Sequence, residues 1–357
     1  MDKIYGVVLI GCGHIGEEHI AQIYYRDNIR IVAVVDADEQ KARLFAMKYG
    51  ADRYGIDYHE FITRDDVDIV IIATYVSTHL SILRDCVVAG KHVLCEKPMA
   101  ANARDGQEFY RLAKNGRSQV LVAHILRRNA SYIKIRDLIR SGAIGRLKTV
   151  RMTQNHHALD WERYRRLLED CSPILDCGVH YFDVLQWFTG SAITEVMGMG
   201  AVVDADLEPG RYNYGIVTMR LEDGTVGYYE AGWGRTFASG NVKQFIGDQG
   251  HITLTMQAGR GRHVEMGDLI EVYHAVSDTY EQINVPAVYK DMWGQLCSLI
   301  DRIEGRPTDA PTIEEAYSAF RVALAADQAV RTGSIVRVEN MPETAGLHET
   351  RVVPIDA

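Results

Sequence analysis

Asp176, His180 and Asp183 recur at i, i+4 and i+7 in one stretch of the chain, a spacing that places all three on one face of a helix. A histidine between two carboxylates suits a general base whose ring is oriented and whose pKa lies near the working range. Ser172-Pro173 provide an N-cap and a first helical position for this helix. Leu175, Val179, Phe182 and Leu185 give it an apolar face, so a plain amphipathic helix with one wet side also fits. A second group is Lys91-His92-Val93-Leu94-Cys95-Glu96-Lys97-Pro98. It sets Glu96 and Lys97 at the carboxyl end of a buried strand, the edge where open α/β sheets bind ligands. A lone lysine there is usually a solvated surface residue, but beside an acid and a proline it reads as functional.

Gly11-Cys12-Gly13-His14-Ile15-Gly16 is a GxGxxG that directly follows an apolar run and opens a helical pattern. In that context the glycines serve a tight turn, close approach of backbone to a pyrophosphate, and helix–strand packing. The helix N-terminus then faces the phosphates. Asp36 ends the next strand, Ile31 to Val35, where a carboxylate would bond the adenosine ribose hydroxyls. It would repel a 2′-phosphate, and Ala37 rather than an arginine follows, so NAD is favoured over NADP. The same aspartate could also cap the helix that starts near Asp38. Cys171, Cys177 and His180 have no zinc spacing and lack an evident fourth ligand, so no metal is expected. His156 and His157, after a strand expected at Leu147 to Gln154, either line the same cleft or are surface residues.

These groups need elements to hold them. Ile4 to Ile10, Ile29 to Val35, Val67 to Thr74, His92 to Cys95 and Val120 to Ala123 are nearly continuously apolar and read as strands buried on both faces. Helical patterns such as Glu39 to Tyr49 and His79 to Ala89 lie between them. The alternation implies an α/β domain with a doubly wound parallel sheet over residues 1–125. A connecting helix is expected at Asn129 to Ser141. From residue 145 strands follow one another, with turns at Glu222-Asp223-Gly224 and Asp248-Gln249-Gly250, and helices follow at about 287–304 and 312–332. That pattern implies a second, α+β domain over 126–338 with an open, mainly antiparallel sheet, then a polar tail at 339–357. The stretch Leu159 to Arg166 reads as a substrate loop.

Composition narrows the classes further. The 357 residues are 47% hydrophobic and 24% charged, which excludes a disordered or low-complexity chain. A net charge of −9 argues against a nucleic-acid partner. No apolar run reaches the 18 residues or so of a membrane span. Six cysteines without a CxxC pair, and a short N-terminal lead into the first strand, point to a reducing cytoplasm.

Taken together, these residues resemble the glucose–fructose oxidoreductase / inositol dehydrogenase (Gfo/Idh/MocA) family. The match runs through Gly11 to His19, Asp66 to Thr74, Ala89 to Pro98, Leu126-Arg127-Arg128 and Asp176 to Asp183. The resemblance implies an N-terminal Rossmann domain and a C-terminal domain whose open sheet mediates homodimers or homotetramers. It implies that Lys97 contacts both nicotinamide ribose and substrate hydroxyl, that Asp176 orients the substrate and that His180 takes the hydroxyl proton. Asp183 suits a substrate hydroxyl contact, and Arg127 an approach to cofactor and substrate, as do His156 or His157. Thr74, Tyr75, His79 and Glu96 join the glycine loop and Asp36 as cofactor contacts. The sequence departs from the family at Thr74-Tyr75-Val76, where Thr-Pro-Asn is common, and at Cys171-Ser172-Pro173, where glycines are usual.

The function expected on this reading is NAD-dependent oxidation of a secondary hydroxyl of a small-molecule sugar, sugar derivative or cyclic polyol. Two other readings stay open: transient oxidation of a sugar during glycosidic cleavage or elimination, and a non-catalytic sensor of NAD and sugar. A phosphorylated sugar also stays open, with Arg163, Arg165 and Arg166 as the one basic cluster.

Overall fold

The structure is a computed structural model that describes residues 3–204, 206–256, 266–286 and 289–340. It divides into two compact units, Met1–Arg128 with Lys290–Tyr317, and Asn129–Tyr289 with Ser318–Ala357.

In the first unit the strands are β1 (Tyr5–Ile10), β2 (Ile29–Val35), β3 (Arg53–Gly55), β4 (Ile69–Ile72), β5 (His92–Cys95) and β6 (Val120–Val122). They form one parallel sheet in the order β3-β2-β1-β4-β5-β6. All residues of β1 and β4 are buried, as continuous apolar strands covered on both faces must be. The helices are α1 (His14–Ile23), α2 (Glu39–Tyr49), α3 (His59–Ile62), α4 (His79–Val88) and α5 (Ala103–Asn115). The strand order reverses direction between β1 and β4, the topological switch point at which such sheets bind ligands. Gly11, Asp36, Thr74 and Glu96 all stand just past the carboxyl ends of strands, on this edge.

The return of Lys290–Tyr317 to this unit differs from the division at residues 125/126, which assigned 126–338 to the second domain. The cause is packing. Helix α10 (Met292–Ile303) carries Leu296, Leu299 and Ile300 at i, i+3 and i+4, and all three enter the same buried cluster as Val7, Leu9 and Ile71. A helical stripe in sequence shows that a core is needed without showing which one.

The second unit holds α6 (Ala130–Arg140), β7 (Leu147–His157), α7 (Trp161–Asp170), α8 (Pro173–Asp176), α9 (Gly178–Thr189), β8 (Ile193–Ala201), β9 (Tyr214–Leu221) and β10 (Val226–Gly234). β11 (Lys243–Gly247), β12 (Gly250–Thr255), β13 (Asp268–His274), β14 (Thr279–Val285) and β15 (Val336–Arg337) complete it. Helix α11 (Ile313–Thr332) carries the chain from the first unit into the second. The nine strands run β14-β13-β12-β11-β7-β10-β9-β8-β15, with β7 and β10 the one parallel pair among them. The turns at Glu222–Gly224 and Asp248–Gly250 close antiparallel pairs. One face of the sheet is buried through Val150, Met152, Val217, Met219, Tyr229, Phe245 and Ile252. On the opposite face Arg151, Met197, Met199, Thr218 and Arg220 are exposed.

Three local expectations are corrected. The segment read as a loop at Leu159 to Arg166 is mostly helix α7. Asp160 caps it by accepting from the Arg163 N–H, and Glu162 pairs with Arg165 and Arg166 along its surface. The single helix expected to start at Pro173 and carry Asp176, His180 and Asp183 is divided at Cys177 into α8 and α9. The strand expected to stop at Gln154 runs on to His157, because β10 pairs with it through Gly234. Of the tail expected at 339–357, residues 341–357 lie outside the described residues.

Candidate active site

The glycine loop leaves β1 at Gly11, whose φ of +101° is a conformation suited to glycine. A Cβ there would stand 2.4 Å from the Ala73 carbonyl oxygen, and one at Gly16 would stand 1.9 Å from the Gly11 carbonyl oxygen. A Cβ at Gly13 would meet nothing within 4 Å. Two glycines therefore serve packing and the third faces open space. Gly13 is the N-cap of α1 and gives no side-chain cap, and the amino end of a helix favours an anion. A dinucleotide pyrophosphate fits this loop, with Gly11, Gly13, His14, Ile15 and Gly16 as the residues around it.

Asp36 follows β2. Its Oδ2 accepts from the Cys12 N–H at 2.8 Å and its Oδ1 from the Asp38 N–H at 2.9 Å. The helix cap is Asp38, which accepts from Gln40 and Lys41 N–H groups, so the alternative that Asp36 caps α2 is set aside. Burial and the neighbouring Asp36 carboxylate push the Cys12 thiol up to about 12, which leaves it a packing group.

At the end of β5, Glu96 is buried and its Oε1 lies 2.8 Å from His19 Nε2 on α1. Burial pushes the Glu96 carboxyl up, but the bond with His19 and the charges of His19 and Lys97 outweigh it, and the group is held below the ordinary carboxylate range. Lys97 follows, half-buried, and joins Pro98 through a cis peptide bond. The ring of His79 is buried, with Nδ1 2.9 Å from the Pro98 carbonyl oxygen and Nε2 3.2 Å from that of Thr74. His79 thus fastens the turn after β4 to the turn after β5 and spends both ring nitrogens on backbone. Tyr75 is exposed on the first of these turns, and the Thr74 hydroxyl meets that of Thr78. Arg127 is buried in a short 3₁₀ turn, with its guanidinium 3.1 Å from Glu315.

In the second unit Ser172 caps α8 by accepting from the Leu175 N–H, with Pro173 at the first helical position. Asp176 ends α8, and the Cys177 thiol donates to its Oδ2 at 3.6 Å. Asp176 and His180 are half-buried, whereas Asp183, a turn further along α9, is buried. His156 and His157 are the last residues of β7 and, as neighbours in a strand, point to opposite faces. They therefore cannot line one cleft together. His156 lies on the face of Val150 and Met152, its Nδ1 3.1 Å from the Tyr164 hydroxyl. His157 is exposed, with Nδ1 2.9 Å from the Phe237 carbonyl oxygen.

Sequence reasoning missed two residues of this face. Tyr164 packs edge-to-face on Trp233, with ring centroids 5.7 Å apart. Lys243 is fully buried; its Nζ reaches the Thr153 carbonyl at 2.6 Å and Asn241 Oδ1, and it stands 4.3 Å over the Tyr181 ring. No spacing pattern announces either, since Tyr164 requires α7 and Lys243 requires the pairing of β11 with β7. Among the described residues, no group of three His, Cys, Asp or Glu is placed to hold a metal, and no helix is long and apolar enough to cross a membrane.

A Rossmann sheet with an open glycine loop, an acidic second strand end and a basic residue past β5 defines a dinucleotide-dependent enzyme. Residues 5–124 match the oxidoreductase family described as GFO_IDH_MocA, NAD-binding Rossmann fold, and residues 132–253 match the GFO/IDH/MocA C-terminal domain. The chain belongs to the GFO/IDH/MocA family of oxidoreductases. It is 26% identical over 246 residues to a myo-inositol 2-dehydrogenase of Thermotoga maritima, an alignment covering 68% of this chain and 73% of that protein. It is 33% identical over 190 residues to an inositol 2-dehydrogenase of Burkholderia ambifaria, covering 52% of this chain and 55% of that one. The fold is that of apo scyllo-inositol dehydrogenase from Lactobacillus casei, with a TM-score of 0.77, 20% identity, and coverage of 95% of this chain and 99% of that one.

Proposed function

We propose that the chain is an NAD-dependent dehydrogenase that oxidises a secondary hydroxyl of a sugar, sugar derivative or cyclic polyol. The observation that carries this reading is the buried His19–Glu96 pair. It ties the helix that opens from the glycine loop to the residue beside Lys97, so one rigid join sets the phosphate cradle and the lysine. The inositol dehydrogenases among the relatives support the substrate class.

Gly11, Gly13, His14, Ile15, Gly16 and Asp36 hold the nucleotide, with Thr74 and Tyr75 beside its nicotinamide end. His79, Glu96 and Arg127 act through the turns they brace. When bound, the nicotinamide supplies the acceptor for hydride. His180 takes the hydroxyl proton on a ring nitrogen, Asp176 orients the substrate, and Asp183 backs that face of the helix. Lys97 Nζ stabilises the developing alkoxide, a preorganised electrostatic contribution. His156, but not His157, is on the buried face and joins the substrate contacts. The Asp36 carboxylate favours NAD, because a 2′-phosphate would meet its charge. A cytoplasmic homodimer or homotetramer accords with six cysteines that form no disulfide and with exposed Met197 and Met199 on the outer sheet face.

The test is the absorbance of reduced nicotinamide formed by the purified chain with NAD and a panel of cyclic polyols, aldoses and glycosides. A rise with polyols is expected, and Lys97→Ala should lower turnover about 100-fold or more with little change in NAD affinity. Bound NAD with no rise on any of them would overturn the reading. Glycoside cleavage without net reduced nicotinamide would point to transient oxidation instead.

A further inference from the structure

The buried face at the ends of β7 and β10 holds polar atoms that the fold leaves unmatched. Among the described residues, the Trp233 indole N–H, the Gln154 side-chain carbonyl and the Tyr229 hydroxyl are buried without a hydrogen-bond partner. Trp233 is 2% exposed and Tyr229 fully buried. An unmatched buried donor or acceptor costs about 1–3 kcal/mol, so three on one small face call for an explanation.

The register brings them together. Met152, Gln154 and His156 of β7 stand opposite Tyr229, Ala231 and Trp233 of β10, and alternate residues share a face. Ala231 is small, so opposite Gln154 there is only a methyl group between the Tyr229 and Trp233 positions. Tyr164 of α7 covers the same end, edge-on to Trp233 and bonded through its hydroxyl to His156. Burial raises the pKa of Tyr164; the Arg163 charge opposes this, while Cys177 and Asp176 add to it.

Two of the three arginines of α7 are committed to ion pairs. Arg165 pairs with Glu162 and Glu169, and Arg166 with Glu162, all along the surface of α7. Lys243 is buried on the Thr153 carbonyl and Asn241. Of the basic cluster that left a phosphorylated sugar open, Arg165 and Arg166 are thus neutralised, and Arg163 is exposed on α7. What remains is an aromatic wall with a single N–H donor, an amide carbonyl and a hydroxyl, which suits an uncharged ring bearing several hydroxyls.

We infer that Trp233 Nε1 and Gln154 Oε1 bind neighbouring hydroxyls of a compact, neutral cyclic polyol against the Tyr164 and Trp233 rings, and so select which isomer is oxidised. This rests on the dehydrogenase reading and adds its specificity residues. Trp233 donates to one substrate oxygen, while Gln154 accepts from the next hydroxyl. An isomer with either hydroxyl inverted leaves one of these groups buried and unmatched, which is how such a site discriminates.

The experiment uses the full-length chain with NAD and myo-inositol, scyllo-inositol and their single-deoxy analogues. Trp233→Phe keeps the ring and removes the N–H; Gln154→Leu removes the acceptor, and thermal melting confirms that each variant folds. Each should raise the KM for the preferred inositol about tenfold, the worth of one such hydrogen bond, while the KM for NAD stays put. The deoxy analogue lacking the partner hydroxyl should be handled alike by wild type and variant. Unchanged KM values for every inositol in both variants would overturn the proposal. If wild type forms no reduced nicotinamide, the dehydrogenase reading fails, and calorimetry of the same inositols with the NAD-loaded chain decides this one separately. Binding weakened by Trp233→Phe sustains the polyol site, and absence of binding to wild type removes it.

Discussion

The imidazole of His19 and the carboxylate of Glu96 meet at 2.8 Å with both residues buried, one on the helix after the glycine loop and the other past the end of β5. Removing one partner strands the other, and breaking a buried pair costs more than the pair contributes over an apolar substitute. His19→Ala should therefore lower unfolding stability by about 3 kcal/mol, measured by urea denaturation at neutral pH. Glu96 is held below its ordinary pKa, so its stabilising contribution is fully present above the unfolded carboxylate pKa. It is lost as pH falls through the lower folded value. Wild type should thus lose stability relative to Glu96→Gln on acidification below about pH 4, and a constant difference from pH 7 to 3 would show the pair to be electrostatically silent.

The glycine loop separates packing from binding. At Gly16 a Cβ would stand 1.9 Å from a backbone oxygen, whereas at Gly13 it would meet nothing within 4 Å. Gly16→Ala should cost about 1–3 kcal/mol as an overpacked contact. Gly13→Ala should melt like wild type yet bind NAD more weakly, because its methyl enters the space of the pyrophosphate. Paired melting curves and NAD titrations check this, and equal NAD affinity in Gly13→Ala would remove the pyrophosphate from that position.

Much of the first unit was legible because both-face burial writes itself as unbroken apolar runs: β2, α2 and β5 have the bounds their sequences imply. What was not legible depends on register or on the choice of partner. His156 and His157 looked like residues beyond a strand, since polar residues at a strand end resemble a loop until β10 is seen to pair with them. α7 was hidden by six charged residues among its ten, which read as solvent-facing loop although Glu162, Arg165 and Glu169 are spaced as helical ion pairs. Trp233 and Lys243 carry no motif at all. Their burial follows from the neighbours that the sheet order supplies, and sequence spacing does not encode that order.

Asp36 offers a sharper test of cofactor choice than of stability. Its carboxylate accepts from Cys12 and Asp38 N–H groups at the rim of the loop, and an adenosine ribose would add hydroxyl bonds to the same charge. Asp36→Ser should weaken NAD about tenfold or more, as hydrogen bonds to a charged group are worth about 1.5–3 kcal/mol. NADP should improve relative to NAD, since the repulsion of its phosphate is gone. The measurement is the ratio of kcat/KM for the two cofactors, and an unchanged ratio would show that Asp36 does not choose between them.

Lys243 makes the second unit's stability rise with pH, as Glu96 does for the first unit, but over a more alkaline range. Burial lowers its pKa well below the ordinary lysine value, and the nearby Cys177 only partly opposes this. Between the folded pKa and the unfolded value of about 10.4, the unfolded chain binds a proton that the folded chain does not, so stability rises with pH across that window. Lys243→Met removes the titrating group and keeps most of the volume, at the cost of the bonds to Thr153 and Asn241. Wild type should therefore gain stability relative to Lys243→Met as pH is raised from 6 to 9. Melting temperatures of the two proteins over that range check the sign. Parallel pH profiles would mean that Lys243 keeps its proton in the fold, with the Thr153 carbonyl, Asn241 and the Tyr181 ring together offsetting the loss of water.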